Sequence, residues 1–418
     1  MEQITLSNGV RVLLEQNPFA RSAAITFHIG SGSCYEQGGA MGASHFVEHM
    51  LFKGTPTRGA RELAEEVDAM GGQLNAYTAK EYTCLFGQAL ENHLPGLVDV
   101  MLDLLRSPKL AEDDIETEKS VILEEISMVE DTPEELCSDK LYEKVFPSES
   151  LGSNILGTRE TVAGMTRETL LGHMRAFYTP ERITAAVSGR FDRDALLMEI
   201  ERGLGDMAPA GNPIAAPAVR FAPGVVRVRR RVEQTQLLLA FPAPAVGDSR
   251  RYALAVLSNI LGGGASSRLN QRIREELGLC YAIYSFAASH LGGGMFGVSA
   301  GVAHEKQARV LREILSILRD FPPELMHAEL SRTKEQFKAG VVMGLESSAS
   351  RASGMGRSVL LMNEYQDEDE VLSAIDAVSA HDVAALAAEL LRLDRAALAV
   401  VGRPENAAFY REILHERG

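Results

Sequence analysis

His45-Phe46-Val47-Glu48-His49 is the stretch on which the reading of this chain turns. On an α-helix, residues four apart lie one above the other, so the imidazoles of His45 and His49 leave the same face. Two neutral ring nitrogens at that spacing can reach one cation, and imidazole suits Zn²⁺. Glu48 follows His45 by three residues and sits beside that face, within reach of a water on the metal without being a ligand itself. Gly42, Ala43 and Ser44 precede the stretch; Met50, Leu51 and Phe52 follow it, and Lys53-Gly54 reads as a helix end. Most sides of such a helix are apolar, so exposure to solvent does not explain two histidines and an acid. Buried polar groups need partners, and one metal ion would serve all three.

A zinc site of this type takes three protein ligands and leaves the fourth position to water. The third candidate comes from a second helical stretch, about Ala111 to Glu130, which stops at Asp131-Thr132-Pro133. Within it Glu118 and Glu125 stand seven residues apart, two turns, and share a face with Val121 and Ile122 between them. Glu124 falls about 100° away and should face water. Taken alone these acids would read as a solvated helix surface; the upstream His-x-x-Glu-His makes them candidates.

At this point the chain resembles a known family, the inverted-motif zinc metallopeptidases that include pitrilysin, insulin-degrading enzyme and the mitochondrial processing peptidase. In that family the third ligand follows the second histidine by about 76 residues, the separation of Glu125 from His49, and a second glutamate precedes it by seven, which Glu118 matches. The resemblance implies His45, His49 and Glu125 as ligands of one Zn²⁺ per chain, Glu48 as general base, and Glu118 as the carboxylate that orients a ligand from behind. Asn75-Ala76-Tyr77-Thr78, after Gly71-Gly72, is similar to the family's edge strand, on which a peptide substrate is held as an added strand by backbone hydrogen bonds. Arg274 and Tyr281, seven apart, resemble the family's substrate-holding pair; without the family they read as a helix end at Gly278 followed by a packed tyrosine. The implied activity is zinc-dependent endopeptidase cleavage of unfolded peptides or presequence-like segments. The alternatives are a non-catalytic scaffold of the same fold, like the core subunits of a respiratory complex, and a subunit active only with a partner.

Composition fits that expectation. The chain has 418 residues, enough for two or three domains, with 45% hydrophobic and 24% charged residues and a formal charge of −15. Such a charge argues against nucleic acid as a partner. The alternating residues around Asn8-Gly9 read as strands about a turn, no secretory signal or bilayer-length apolar run is expected, and the four cysteines are scattered. A cytoplasmic location without membrane association follows as an expectation.

The organisation reads as a duplication. Residues 207–224 hold four prolines and two glycines and read as a linker between a zinc-bearing domain, 1–206, and a homologous domain, 225–418, that carries the Arg/Tyr pair. Each half closes on a like segment: Glu181-Arg182 to Gly189-Arg190, and Asp394-Arg395 to Gly402-Arg403. The expected fold is α+β, two similar domains each with an antiparallel-rich sheet covered by helices, together half of a clamshell. Leu257 to Leu261, in the second half, offers no metal ligands. By resemblance a second chain completes the clamshell, most simply a copy of this one, a metal-free relative being the alternative. Leu261-Gly262-Gly263-Gly264-Ala265-Ser266-Ser267 lacks the lysine of a phosphate loop, and Gly292-Gly293-Gly294 reads as a turn; a glycine-rich loop that contacts substrate is conceivable by the same resemblance.

Overall fold

The computed structural model describes residues 1–147, 151–210, 219–321 and 327–416. Its eleven described strands form two mixed sheets with helices packed on them. The first sheet contains β1 (Glu2–Thr5), β2 (Arg11–Gln16), β3 (Ser22–Ile29), β4 (Gln73–Thr78), β5 (Thr83–Leu90) and β6 (Ile183–Gly189), in the order β1-β2-β6-β3-β5-β4. Only β2 and β6 run parallel; the other four pairings are antiparallel. The second sheet contains β7 (Gly224–Arg229), β8 (Thr235–Ala243), β9 (Cys280–His290), β10 (Gly293–Val302) and β11 (Ala397–Gly402), in the order β7-β11-β8-β10-β9. Here too one pair is parallel, β7 with β11. The two sheets share one plan: β2, β6, β3, β5 and β4 correspond in order to β7, β11, β8, β10 and β9. The two like segments noticed in the sequence are β6 and β11, each central and entirely buried.

Why these residues form strands is plain in β3 and β6, near-continuous apolar runs buried on both faces. The Asn8-Gly9 turn joins β1 to β2, with Gly9 at φ +102°, where a side chain would be strained. The Arg227–Arg231 run begins on β7, whose residues are half-buried to exposed, as a strand at the sheet's end should be.

The compact units do not follow the chain's halves continuously. One comprises Met1–Ile126, Ser153–Ala215 and Met343–Tyr365; the other comprises Ser127–Gly152, Ala216–Val342 and Gln366–Gly418. Each unit thus takes one helical segment from the opposite half of the chain. In the first unit the helix Ser348–Met362 lies on β3 and β6; in the second, Pro133–Val145 lies on β8 and β11. Residues 211–218 of the expected linker lie outside the described residues. The glycine run differs slightly from expectation, because Gly293 and Gly294 already pair with His290 and Ser289 at the start of β10. Among the described residues no single helix is long and apolar enough to cross a membrane.

Candidate metal centre

The motif stretch is the helix Ala43–Leu51, and its start is held from outside. Gly42 stands before it in the left-handed region, φ +89°, where a Cβ would meet the Leu156 carbonyl oxygen at 2.7 Å. Glycine is needed there. The backbone N–H groups of Gly42 and Ser44 both donate to the buried carboxylate of Glu36, each at 2.6 Å. A negative group at a helix N-terminus satisfies orphan donors and complements the helix dipole. Behind the same end, Ser31 and Ser44 bond His173 Nε2 at 2.8 and 3.2 Å. The helix that carries the motif is therefore fixed at its first turn.

His45 and His49 leave this helix on one face with ring centroids 4.6 Å apart. The long helix Glu112–Asp131 brings Glu125 to them: its Oε2 lies 3.6 Å from His45 Nε2 and 3.7 Å from His49 Nε2. One ligand atom from each of the three residues lies within 4.8 Å of the others, room for one ion among them. Burial, and then the charge of His49, push the His45 imidazolium down to about 3, so this ring is neutral with a lone pair to offer. His49 donates from Nδ1 to Glu118 Oε2 at 2.9 Å, which leaves Nε2 as its ligand atom. Lys53 pairs with the other Glu118 oxygen. Burial alone would raise the Glu118 pKa, but the bonds from Lys53 and His49 hold it below the usual carboxylate range.

The helix periodicity explains the burial along Glu112–Asp131. Ile115, Glu118, Ile122 and Ile126 are buried, while Glu125 sits at the rim and is partly exposed. Glu124 is exposed, as expected, but Val121 is too, being 45% accessible. It falls on the outer side of the Glu118–Glu125 line, because 3.6 residues per turn carry it away from Ile122.

Glu48 is buried for most of its length, and burial, opposed by the Thr78 hydrogen bond, raises its pKa above the ordinary glutamate value. Thr78 Oγ1 donates to Glu48 Oε2 at 2.6 Å. Thr78 ends β4, which lies at the end of its sheet, beside the motif helix. Side chains alternate along β4: Asn75 and Tyr77 face one way, Ala76 and Thr78 the other. Gln73 and Tyr77 line a cavity of about 470 Å³ together with Phe86, Ser350, Ser353 and Arg357.

Arg274 and Tyr281 belong to the second unit. Arg274 lies in a π-helical segment, Asn270–Glu276, and its guanidinium carbon is 5.6 Å from the Tyr281 ring centre. Tyr281 is 80% exposed, so it is not the packed core tyrosine that local reading alone suggests. The structure adds three contacts that the sequence did not signal: Thr78 on Glu48, Lys53 on Glu118, and Glu36 on the helix start. Only Lys53 had a local cue, one turn beyond His49.

A family model for "Insulinase (Peptidase family M16)" matches residues 11–159, and one for "Peptidase M16 inactive domain" matches residues 164–337. The chain belongs to the M16 peptidase family. Among curated relatives, "Uncharacterized zinc protease YmxG" of Bacillus subtilis is 37% identical over 407 residues, covering 97% of this chain and 99% of the relative. "Uncharacterized zinc protease Rv2782c" of Mycobacterium tuberculosis is also 37% identical, over 393 residues, 93% of this chain and 90% of its own. A crystal structure of a protease from Helicobacter pylori superposes with a TM-score of 0.88 at 21% identity, over 96% of this chain and 99% of that one. An M16 inactive-domain protein from Pseudomonas fluorescens gives a TM-score of 0.89 at 18% identity, over 97% and 98%. At that identity the two structures establish the M16 fold, two domains with mixed sheets, and nothing further.

Proposed function

We propose that this M16 chain is a zinc-dependent endopeptidase that hydrolyses unfolded peptides or presequence-like segments held as an added strand on β4. The observation that carries the reading is the convergence of His45, His49 and Glu125 within 4.8 Å, with Glu48 on the same helical turn. Two imidazoles and a carboxylate are the donor set of a catalytic zinc site. The relatives named as uncharacterized zinc proteases support that metal, and the one such cluster among the described residues supports one ion per chain. When bound there, Zn²⁺ supplies Lewis acidity and lowers the pKa of a water to about 7.

Glu48 takes a proton from the attacking water and returns it to the departing amine. Burial, opposed by the Thr78 hydrogen bond, raises its pKa above the ordinary glutamate value, which makes it a stronger base than an exposed carboxylate. Glu118 holds the His49 tautomer. A peptide paired to β4 through its backbone alternates its side chains between the Glu48 face and the Tyr77 cavity, so Asn75 to Thr78 present one peptide bond to the centre. Tyr281 and Arg274 contact substrate, Tyr281 stabilising the oxyanion from the second domain of a partner copy in a homodimer. The chain thus divides into a zinc-bearing domain and a homologous substrate-contacting one. The four cysteines are free, which suits a reducing cytoplasm.

The Glu48→Gln protein should bind zinc like the wild type yet hydrolyse peptides roughly 10²–10⁴-fold more slowly. Wild-type turnover by that variant excludes the assignment. Zinc content near zero in the purified wild type would instead favour the scaffold.

A further inference from the structure

We propose that Thr78 is the positioning residue of the Glu48 base: its hydroxyl anchors Oε2 and so assigns Oε1 as the oxygen that takes the proton. The inference rests on the peptidase reading and deepens it.

An ionised carboxylate only accepts hydrogen bonds, so the 2.6 Å contact between Thr78 Oγ1 and Glu48 Oε2 has Thr78 as donor. A hydroxyl has one proton, and the neighbouring hydroxyl is the weaker of its two acceptors. Thr83, directly across from Thr78 in the β4–β5 ladder, lies 3.4 Å away and gives its own proton to the Ser31 carbonyl at 2.9 Å. Thr83 is fully buried, so its orientation is set by the sheet. Of the two oxygens that could accept the Thr78 proton, the Glu48 carboxylate is charged and nearer, 2.6 Å against 3.4 Å, so the proton goes to Glu48.

Glutamate has three side-chain torsions, and an unheld carboxylate would spread over several rotamers. The Thr78 bond removes that spread at one oxygen and leaves the other open. In the hydrolytic step, an O–H bond of water breaks and its proton goes to Oε1. The water oxygen bonds the carbonyl carbon, and the proton passes from Oε1 to the amine nitrogen as the C–N bond breaks. The Thr78 proton stays on its oxygen throughout. Thr78 therefore serves twice: its backbone lies on β4 at the end of the sheet, where the proposed peptide pairs, and its side chain holds the base. A peptide that pairs with β4 stiffens the strand from which the base is held, which couples substrate occupancy to the order of Glu48.

The experiment compares wild type, Thr78→Val and Thr78→Ser, each zinc-loaded, on one extended peptide. Valine keeps the branched shape and removes the donor; serine keeps the donor. For Thr78→Val, kcat should fall about 10–100-fold, with KM within about twofold of wild type and zinc content unchanged, the scale of a misplaced catalytic group. Thr78→Ser should recover most of kcat. A crystal structure of Thr78→Val should show the Glu48 carboxylate rotated or spread over rotamers. Wild-type kcat in Thr78→Val, or a raised KM at unchanged kcat, overturns the positioning role in favour of a plain substrate contact. If zinc-loaded wild type cleaves no peptide, the peptidase reading fails instead, and the carboxylate's order in the valine variant still decides whether Thr78 holds Glu48.

Discussion

Glu118 is nearly inaccessible to solvent and yet ionised, because Lys53 and His49 occupy its two oxygens. Such a carboxylate acts on the centre through the ring it holds. Removing it frees the His49 ring to rotate and to take the other tautomer. The Glu118→Ala protein should bind zinc about 10–100-fold more weakly, measured by competition with a chromophoric chelator. Unchanged affinity would mean that the helix alone orients His49. At this scale the sequence was informative where spacing is local. His45, Glu48 and His49 sit within five residues, and the seven-residue repeat of Glu118 and Glu125 marks one helix face. Thr78 and Glu36 were opaque for the opposite reason. Thr78 is 30 residues from Glu48 in the chain, and nothing but the folded sheet brings its hydroxyl there. Glu36 lies in a short segment with no periodic pattern, and its two bonds to backbone N–H groups leave no side-chain partner to look for.

The helix Ser348–Met362 shows what element-level reading misses. Its small residues announce a closely packed face, but amphipathicity does not say which sheet receives that face. It lies on β3 and β6, where Thr26 Oγ1 donates to the Ala352 carbonyl at 3.3 Å. Gly356 permits this approach, since a Cβ there would come within 2.4 Å of His28 Nδ1. His28 is sealed beneath the helix, and among the described residues neither ring nitrogen has a hydrogen-bond partner. Burial, helped by the charge of Arg357, pushes its pKa down to about 3. The sign follows directly. Between about pH 6.5 and 3 the unfolded chain binds a proton at this ring and the folded chain does not, so stability falls as pH falls through that window. Each such histidine contributes a slope of about 1.4 kcal/mol per pH unit, and His173, pushed down to about 4, acts in the same sense. Urea unfolding of the zinc-loaded protein at pH 7 and pH 5.5 should show the loss, and His28→Leu should flatten the dependence by one histidine's share. Equal slopes in the two proteins would remove His28 from the account.

Across the whole molecule, the duplication was legible because β6 and β11 repeat an Arg-to-Gly spacing, and the sheet orders bear the same plan twice. The exchange of helices was not legible, since a linker rich in proline marks where the halves join and says nothing about segments that cross back. That exchange has a thermodynamic consequence. Met355 and Val359 form a buried cluster with Leu13 of β2 and Ala186 of β6, so part of the first unit's core comes from residues far beyond the linker. Losing side chains of this kind costs about 2–5 kcal/mol each for the larger ones, against a total stability of about 5–15 kcal/mol for a typical domain. A fragment of residues 1–210 also keeps Leu136, Leu141 and Val145, buried in the intact protein, but lacks β8 and β11, on which their helix packs. The fragment should therefore be loosely packed, bind a hydrophobic dye and melt without cooperativity. Joining residues 343–365 to it through a flexible linker should restore much of the cooperative transition, because the cluster on β2 and β6 is then complete. A fragment of 1–210 that melts sharply on its own, with no gain from the added segment, would show that the exchanged helix is a cover rather than a part of that core.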